Sequence, residues 1–308
     1  MHDAPPRRNG GIGFALSSPQ ATLTFTASAV FAIADRRHRP LRDTEIASLV
    51  GALSVARATL GLKNAVTVVI TGELATHVGM GSGTAIRLAC IEAMLALNGI
   101  ELPREEVVRL SGRGGTSGIG INTYFEGGLV LDLGARNDGA GYAPSSMVRP
   151  KELPYSLPGL SLPDWEICLF VPRNIPTKSQ WEEAEFFQRV LPLSPDASYR
   201  ACYEALFGVY ASIAEQDAVN FVAAIERMQS TDWKSQEWRE YGGALSALRD
   251  ELRNLGAEYV GMSSLGPMLF AGGPSVFSSD AQGAAESLNC DAIISRMSNV
   301  GRVMEVIS

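Results

Sequence analysis

The sequence predicts an α+β protein of two domains, 1–160 and 161–308. Segments rich in β-branched and aromatic residues alternate with apolar patterns of helical spacing in both halves. A length of 308 residues is enough for two hydrophobic cores. Residues 139–164 concentrate Pro, Gly and Ser, which predicts a linker where the two domains meet.

The first half alternates strands and helices. Segments in 11–34 are rich in Phe, Thr, Val and Ile, and we expect them to form strands that pair with each other. Residues 43–62 have the apolar spacing of a helix, with Asp43 or Thr44 as its cap. The remaining elements predicted here are a strand at 65–74, an apolar helix at 84–100, an amphipathic helix at 102–113, a glycine-rich turn leading into a helix at 112–128, and a strand at 129–134.

The second half begins with a predicted strand at 165–172, followed by mostly helical sequence at 179–255 that breaks near Gln216. The later elements predicted are a strand, a glycine turn and a strand at 259–273, a helix at 280–288, and two short strands, DAIISRM (291–297) and RVMEVIS (302–308).

Composition excludes several classes of protein. A net charge of -7 leaves no basic surplus to replace phosphate counterions, so we expect no nucleic-acid partner. The four cysteines form no CxxC pair, and with three histidines they give no zinc-site spacing. The first ten residues are polar, unlike a signal peptide, and no apolar run reaches the length of a membrane span. We therefore expect a cytoplasmic protein with no membrane partner, and leave monomer and homodimer open.

The segment HVGMGSGTAIRLA (77–89) indicates a phosphate-binding loop. Its glycines open an apolar helix, where successive backbone N–H groups and the positive helix end converge on an anion. No Lys follows the last glycine, so the segment is not a Walker loop, and it lacks the G-x-G-x-x-G spacing of dinucleotide folds. A glycine-rich turn without a ligand has the same pattern, and the residues alone leave both interpretations equal.

The same segment resembles the glycine loop of the GHMP superfamily, named for galactose, homoserine, mevalonate and phosphomevalonate kinases. GMSSLGPMLFAGG (261–273) is similar to its C-terminal glycine motif. One branch fits better than the kinases, the β-ribofuranosylaminobenzene 5'-phosphate synthases, a branch that includes C-glycoside synthases of C-nucleoside antibiotic pathways. The blocks that resemble it, in family order, are GGIGFAL (10–16), GRGGTSGIGINTYFEGG (112–128), APSS (143–146), LPDWEICLFVP (162–172), EEAEFF (182–187) and MSSLGPMLFA (262–271).

The resemblance implies a GHMP-kinase-like fold with a ribosomal protein S5 domain 2-like N-terminal domain and a ferredoxin-like C-terminal domain. It also implies a transferase that takes 5-phosphoribosyl 1-diphosphate (PRPP) with Mg²⁺ and an aromatic or heteroaromatic carboxylic acid. Such an enzyme joins C1 of the ribose to the ring carbon that bears the carboxylate, releasing pyrophosphate and carbon dioxide. The alternatives are an ATP-dependent small-molecule kinase and a catalytically idle binding or regulatory protein.

One position separates transferase from kinase. Many kinases of the superfamily have an Asp in a P-S-G-I-D-type segment that helps to activate the hydroxyl nucleophile, and Gly120 occupies that position in TSGIG (116–120). Glycine cannot accept a proton, whereas a carbon nucleophile that attacks PRPP has no hydroxyl proton at the attacking atom. Glu126 and Asp132 are close in sequence and could replace the missing acid, which keeps the kinase as the alternative.

The resemblance and the residue types together assign the donor site. We predict that the diphosphate binds, mostly through backbone N–H groups, at Gly79, Gly81, Ser82, Gly83 and Thr84. The 5-phosphate, or the far end of the diphosphate, is assigned to Arg113, Gly114, Gly115, Thr116, Ser117 and Gly118. Arg7 is expected to contact a phosphate or the acceptor carboxylate.

The acceptor and metal assignments are weaker. The hydroxyl pairs Ser145–Ser146 and Ser263–Ser264 are candidates for the acceptor, with turn formation as the alternative. Asp132 is a candidate Mg²⁺ ligand, with turn capping as the alternative. No residue is identified as catalytic.

Two positions depart from the family pattern. Asn9 replaces the acid of an R-x-D-G-G-I-G segment, which puts any acid–base or metal role there in doubt. Ala135 replaces the His of a D-G-G-H segment near the expected acceptor site, so the acceptor is expected to differ from that of the family. His77, at the entrance of the first loop, is either a ligand contact or a structural partner of the backbone.

Overall fold

The structure, a computed structural model, describes residues 3–4, 6–137, 149–272 and 281–306. Its strands are β1 (Asp3–Ala4), β2 (Arg7–Arg8), β3 (Gly11–Phe14), β4 (Ala21–Ser28), β5 (Ala32–Asp35), β6 (Ala65–Gly72), β7 (Leu129–Asp132), β8 (Ala135–Arg136), β9 (Glu166–Pro172), β10 (Tyr259–Met262), β11 (Leu269–Gly272) and β12 (Cys290–Arg296).

The helices are α1 (Asp43–Leu60), α2 (Ser82–Ala96), α3 (Arg104–Ser111), α4 (Ile119–Glu126), α5 (Gln180–Val190), α6 (Pro195–Tyr203), α7 (Ala211–Glu215), α8 (Ala218–Gln229), α9 (Asp232–Glu240), α10 (Gly243–Asn254) and α11 (Ala281–Ser287). A π-helical segment, Glu204–Tyr210, joins α6 to α7, and Gln216 ends α7 in the left-handed conformation, which explains the predicted break. Within the described ranges, no helix combines the length and apolarity needed to cross a bilayer.

The N-terminal sheet has the order β4-β6-β5, with β6 antiparallel to β4 and parallel to β5. The predicted pairing of the early strands with each other is therefore wrong, and β3 pairs with β7 instead. Strand β6 has the most buried residues of the three, and a buried strand needs partners on both edges to satisfy its backbone. It therefore takes the centre and separates β4 from β5.

Helices α1 and α2 cover this sheet with apolar side chains. Leu53 of α1, Val68 and Ile70 of β6, and Leu88 and Ile91 of α2 are all fully buried in one cluster. Helix α1 begins at Asp43, as predicted, but its N-cap is Arg42 instead of Asp43 or Thr44, and the Arg42 backbone N–H donates to the Glu45 carboxylate. The Glu45 carboxylate thereby satisfies one of the backbone donors that are otherwise unpaired at a helix start.

The C-terminal sheet has the order β10-β11-β9-β12, antiparallel throughout. The β9 strand is buried along nearly its whole length, and the predicted strand–turn–strand at 259–273 is the β10–β11 hairpin. With helices between β9 and β10 and between β11 and β12, this is the ferredoxin-like arrangement that was expected. The α+β prediction is thus confirmed.

The predicted last strand is wrong, because residues 301–306 form no strand. The segment crosses to the N-terminal half, where the Arg302 backbone N–H donates to the carbonyl of Tyr124. The Arg302 guanidinium donates to both carboxylate oxygens of Glu92, at 3.1 and 2.8 Å. The Arg302 N–H is thereby paired outside any strand, and the side chain of the same residue holds the segment against α2.

The predicted linker is only partly described, since residues 138–148 lie outside the described ranges. Its later part does not behave as a linker, because it runs along β7: Leu133 donates to the carbonyl of Tyr155 and Leu157 donates to that of Leu131. Leu160 exchanges hydrogen bonds with Leu129. Prolines interrupt a regular ladder, yet the segment still satisfies the free edge of β7. A domain boundary near residue 160 stays a prediction.

The two glycine motifs of the sequence are in direct backbone contact. A Cβ atom on Gly79 would lie 2.1 Å from the Ser263 carbonyl oxygen, and one on Gly266 would lie 2.1 Å from the Val78 carbonyl carbon. The Ser263 hydroxyl donates to the carbonyl of Gly79 at 2.8 Å. Glycine is required on both sides because no side chain fits between the chains.

We expect Gly266→Ala to lower the free energy of unfolding by about 2 kcal/mol or more, because the added methyl group forces the two motifs apart. The measurement is urea unfolding. Gly51→Ala is the control: it lies in α1 with open space around the new Cβ, and should be neutral or stabilising by up to about 1 kcal/mol. Equal midpoints for Gly266→Ala and the wild type would contradict the interlock.

Candidate active site

A cleft of about 2010 Å³ runs between the two halves and contains most of the predicted site residues. Both glycine loops, the turn at 263–266 and side chains of α5, α6 and α9 line it. Its volume exceeds that of a typical single-ligand pocket, so it has space for two substrates. The predicted residues that line it are Arg7, Gly79, Gly81, Ser82, Gly83, Thr84, Arg113, Gly114, Thr116, Ser117, Asp132, Ser263 and Ser264.

The other predicted positions lie elsewhere. Gly115 and Gly118 are not in the cleft lining. Ala135 is buried in β8, paired with Arg8, and is not itself in the cleft lining, so its place near the acceptor stays a prediction. Ser145 and Ser146 lie outside the described residues.

The first loop ends in the N-terminus of α2. Gly81 is the N-cap, in the left-handed conformation with φ 68°, and its carbonyl accepts from the N–H groups of Thr84 and Ala85 at 3.0 and 3.2 Å. The Thr84 N–H is therefore already paired, and only the Thr84 hydroxyl can bind a ligand. This corrects the prediction that Thr84 binds the diphosphate through its backbone. The first-turn donors Ser82 and Gly83 have no acceptor within the helix and face the cleft.

Arg113 joins the second loop to the first. Its Nη2 atom lies 3.4 Å from the Gly83 carbonyl oxygen, while its Nε is buried without any hydrogen-bond partner among the described residues. Burial, with a smaller effect from the neighbouring charge of Arg87, lowers the pKa of Arg113 to about 10. A buried donor left unpaired costs free energy, and an anion at the helix N-terminus would remove that cost.

A second arginine adds positive charge to the same place. Arg87 lies on α2 and is buried, where its guanidinium donates to the Ser48 hydroxyl at 2.8 Å and to the Ser111 carbonyl at 3.4 Å. Burial lowers the pKa of Arg87. Sequence reasoning missed it, although an arginine inside the apolar pattern of 84–100 was a visible signal.

The Asp132 carboxylate holds the second loop through hydrogen bonds. Asp132 is buried, and its oxygens accept from the N–H groups of Gly118 at 2.7 Å and Gly134 at 2.9 Å and from the Ser117 hydroxyl at 3.2 Å. Burial raises the pKa of Asp132. Its contacts match the turn-capping alternative and do not favour metal ligation. The Ser117 hydroxyl is likewise engaged, and also accepts from the Ile119 N–H at 3.1 Å.

The N-terminal segment supports the same loop. The Asn9 amide donates to the Gly115 carbonyl at 3.0 Å, a contact that an aspartate could not make. Arg7 donates through Nε to the Leu133 carbonyl at 2.7 Å and through Nη2 to the Gly134 carbonyl. Asn9 and Arg7 thus hold the turns beneath the cleft, and these contacts leave Arg7 less free to contact a ligand than the sequence suggested.

The kinase position is a gap in the structure. A Cβ atom on Gly120 would meet the Thr84 Cβ at 3.6 Å and the Gly81 Cα at 3.9 Å, which are ordinary contact distances, so a Cβ has space there and none is present. Neither proposed substitute fills it, because Glu126 pairs with Arg104 away from the cleft and Asp132 is held by the second loop.

The opposite wall is formed by α5 and α9. Glu237 accepts from the Trp233 indole at 2.7 Å and from the Lys234 ammonium at 2.6 Å, and Lys234 also donates to the Met262 carbonyl at 2.8 Å. Phe187 stacks on Trp233 with centroids 5.3 Å apart. Glu183 completes this wall. The sequence indicated these residues only through the EEAEFF block, which contains Glu183 and Phe187.

Two of the remaining polar candidates, His77 and Ser263, have partners within the protein. His77 has φ 58° and pairs through Nε2 with Glu45, and burial lowers the pKa of His77. The Ser263 hydroxyl is engaged by Gly79, whereas Ser264 is in the left-handed conformation and lines the cleft.

Comparison with known proteins agrees with this geometry. The family described as GHMP kinases N terminal domain matches residues 47–126. The β-ribofuranosylphenol 5'-phosphate synthase of Archaeoglobus fulgidus is 28% identical, over 97% of this chain and 93% of its own length. The homoserine kinase of Cytophaga hutchinsonii has a TM-score of 0.63 at 14% identity, covering 94% of this chain and 89% of that one. The mevalonate kinase of L. major, in complex with R-mevalonate, has a TM-score of 0.64 at 14% identity, covering 96% and 91%.

The fold is that of the homoserine and mevalonate kinases, and residues 47–126 match the family of GHMP kinase N-terminal domains. Over most of its length the chain is similar to β-ribofuranosylphenol 5'-phosphate synthases, in agreement with the branch that its sequence resembles. The names of these relatives specify a phenol, whereas the family that the sequence resembles is named for an aminobenzene.

We expect inorganic pyrophosphate to stabilise the wild type against heat and Arg113→Met to abolish this effect. The reason is that the unpaired Arg113 Nε is the hydrogen-bond donor that we assign to the anion. Without ligand, the variant should be as stable as the wild type or more stable, since it removes a buried charge whose Nε is unpaired. The control is Arg109→Met on the exposed face of α3, where Arg109 pairs with Glu105. An undiminished pyrophosphate effect in Arg113→Met would show that the anion binds elsewhere.

Proposed function

We propose that this protein is a PRPP-dependent C-ribosyltransferase. It joins C1 of ribose 5-phosphate to the carboxylated ring carbon of an aromatic acid and releases pyrophosphate and carbon dioxide. The observation that carries the proposal is the unpaired Arg113 Nε at the junction of two glycine loops, one of which opens α2. The name of the A. fulgidus relative, a ribosyl phenol phosphate synthase, supports it.

The donor fits the cleft by charge. The N-terminus of α2, with Arg113 and Arg87 beside it, concentrates positive charge where a diphosphate would lie. The second loop offers Gly114 and Thr116 at the cleft surface for the 5-phosphate. Two separate anion sites suit a donor with phosphates at both ends better than they suit a neutral substrate.

The main catalytic task is electrostatic. As the C1–O bond breaks, charge grows on the departing pyrophosphate, and donors fixed beforehand stabilise it without reorganisation. Ser82 and Gly83 supply backbone N–H groups, and Arg113 supplies the guanidinium. The folded protein holds the Arg113 guanidinium in place before the substrate binds, so the donor is oriented for attack at C1.

The protein offers no metal cage of its own within the described residues, where no three His, Cys, Asp or Glu side chains cluster suitably. Mg²⁺, if used, would arrive bound to the diphosphate and balance its charge.

The kinase alternative has one observation in its favour, the fold shared with homoserine and mevalonate kinases. The observation against it is that Gly120 leaves the kinase position without an acid, and neither Glu126 nor Asp132 places a carboxylate there. The idle-protein alternative draws support from Asn9, which replaces the acid of the family pattern, but Asn9 has a structural role because its amide donates to the Gly115 carbonyl. A single assay distinguishes the transferase from both of these alternatives.

With PRPP, Mg²⁺ and 4-hydroxybenzoate labelled with ¹³C in the carboxyl group, we expect labelled carbon dioxide and pyrophosphate in equal amounts, and a product with carbon-linked ribose. Other aromatic and heteroaromatic acids are tested in parallel to identify the acceptor. ATP with hydroxylated metabolites serves as the control and should release no ADP. A product that keeps the label, or carries ribose on oxygen, would contradict the C-ribosyltransferase, and acceptor-dependent ADP would favour the kinase.

A further inference from the structure

The C-terminal wall of the cleft contains one carboxyl group that no described residue engages. Glu183 lines the cleft from α5, and no hydrogen bond or ion pair to its side chain is formed within the described ranges. The neighbouring Glu237, in contrast, accepts from both Trp233 and Lys234. A carboxyl group that faces a cleft without a partner is available to a substrate.

The surroundings of Glu183 suit proton transfer. Burial raises its pKa, the positive charge of Arg113 across the cleft lowers it, and the negative charge of Glu237 raises it again, so that the pKa of Glu183 is raised overall. Tyr241 is also within electrostatic range, but its hydroxyl donates to the Leu265 carbonyl at 2.6 Å. A carboxyl group tuned toward neutral pH exchanges protons more effectively at that pH.

An apolar surface next to Glu183 fits an aromatic ring. Phe187 and Trp233 are stacked, with Leu265 in the same buried cluster, and all three line the cleft. The anion sites are on the opposite, N-terminal side. A ring on this surface would lie beside Glu183, in the same cleft that the phosphate loops line.

We propose that Glu183 is the catalytic base that takes the proton of the acceptor's ring hydroxyl while the ring attacks the donor. This role rests on the proposed C-ribosylation. A hydroxyl para to the carboxylated carbon lies at the far end of the ring from C1, which matches a base on the wall opposite the phosphate loops. Loss of its proton moves electron density onto the attacking carbon.

The step balances without an oxidant or a reductant. The ring carbon bonds to C1 with a pair of ring π electrons, the C1–O bond to pyrophosphate breaks, and the hydroxyl proton moves to Glu183, leaving a neutral dienone that still bears the carboxylate. The bond to the carboxylate then breaks, its electrons restore the aromatic ring, and carbon dioxide leaves. The ring oxygen takes the proton back from Glu183, which regenerates the base.

The test compares Glu183→Gln with the wild type on two acceptors, 4-hydroxybenzoate and 3,5-difluoro-4-hydroxybenzoate, whose hydroxyl is already ionised at pH 8. We expect Glu183→Gln to lower kcat by about 10²–10⁴-fold on the first acid, and by less than about tenfold on the second, which needs no base. The control is Glu185→Gln, an exposed position on the same helix that accepts from Trp181, with kcat near that of the wild type on both.

A positioning role would give the same fold loss on both acceptors, and that result would overturn the assignment, as would full activity of Glu183→Gln on 4-hydroxybenzoate. PRPP should stabilise Glu183→Gln against heat as it does the wild type, which shows that the variant is folded and binds the donor. If the wild type releases no pyrophosphate with either acid, C-ribosylation itself is overturned, and the role of Glu183 with it.

Discussion

The backbone contact between the two glycine motifs is the constraint on which the cleft depends. Gly79 and Gly266 are 187 positions apart in the sequence, and the absence of side chains on both lets their two motifs come into van der Waals contact. The Ser263 hydroxyl adds a hydrogen bond to the Gly79 carbonyl. This contact fixes the distance between the N-terminus of α2 and the hairpin of the C-terminal sheet. Both walls of the cleft are therefore positioned by a junction that has no room for a side chain.

Positive charge on one side of the cleft is maintained at a cost to the folded state. Arg113 has an unpaired buried Nε, and Arg87 is buried beside it within the same structure. The loop that presents Arg113 is itself held by Asp132 and Asn9, which act beneath the surface. A buried, unpaired guanidinium destabilises the folded protein, so it is expected where a ligand supplies the missing hydrogen-bond acceptor.

The comparison with the kinases of the superfamily is informative about chemistry. The position that holds an acid in many of those kinases is Gly120 here, open to the cleft, while the free carboxyl group lies on the other wall at Glu183. Under the proposed C-ribosylation, the proton acceptor is therefore Glu183 on the C-terminal wall of the cleft, and no acid is needed at the kinase position.

Sequence alone determined the fold class, most of the elements and the two glycine loops, because hydrophobic periodicity and glycine spacing are local signals. It did not reveal that β6 would separate β4 from β5, that residues 301–306 would cross to the N-terminal half, or that Ala135 would be buried in β8. The partners of Asp132, Asn9 and Ser263, and the meeting of Arg113 with Glu183, were decided only by tertiary structure. These contacts join residues far apart in the chain, and no local pattern specifies which distant group a buried polar atom will meet.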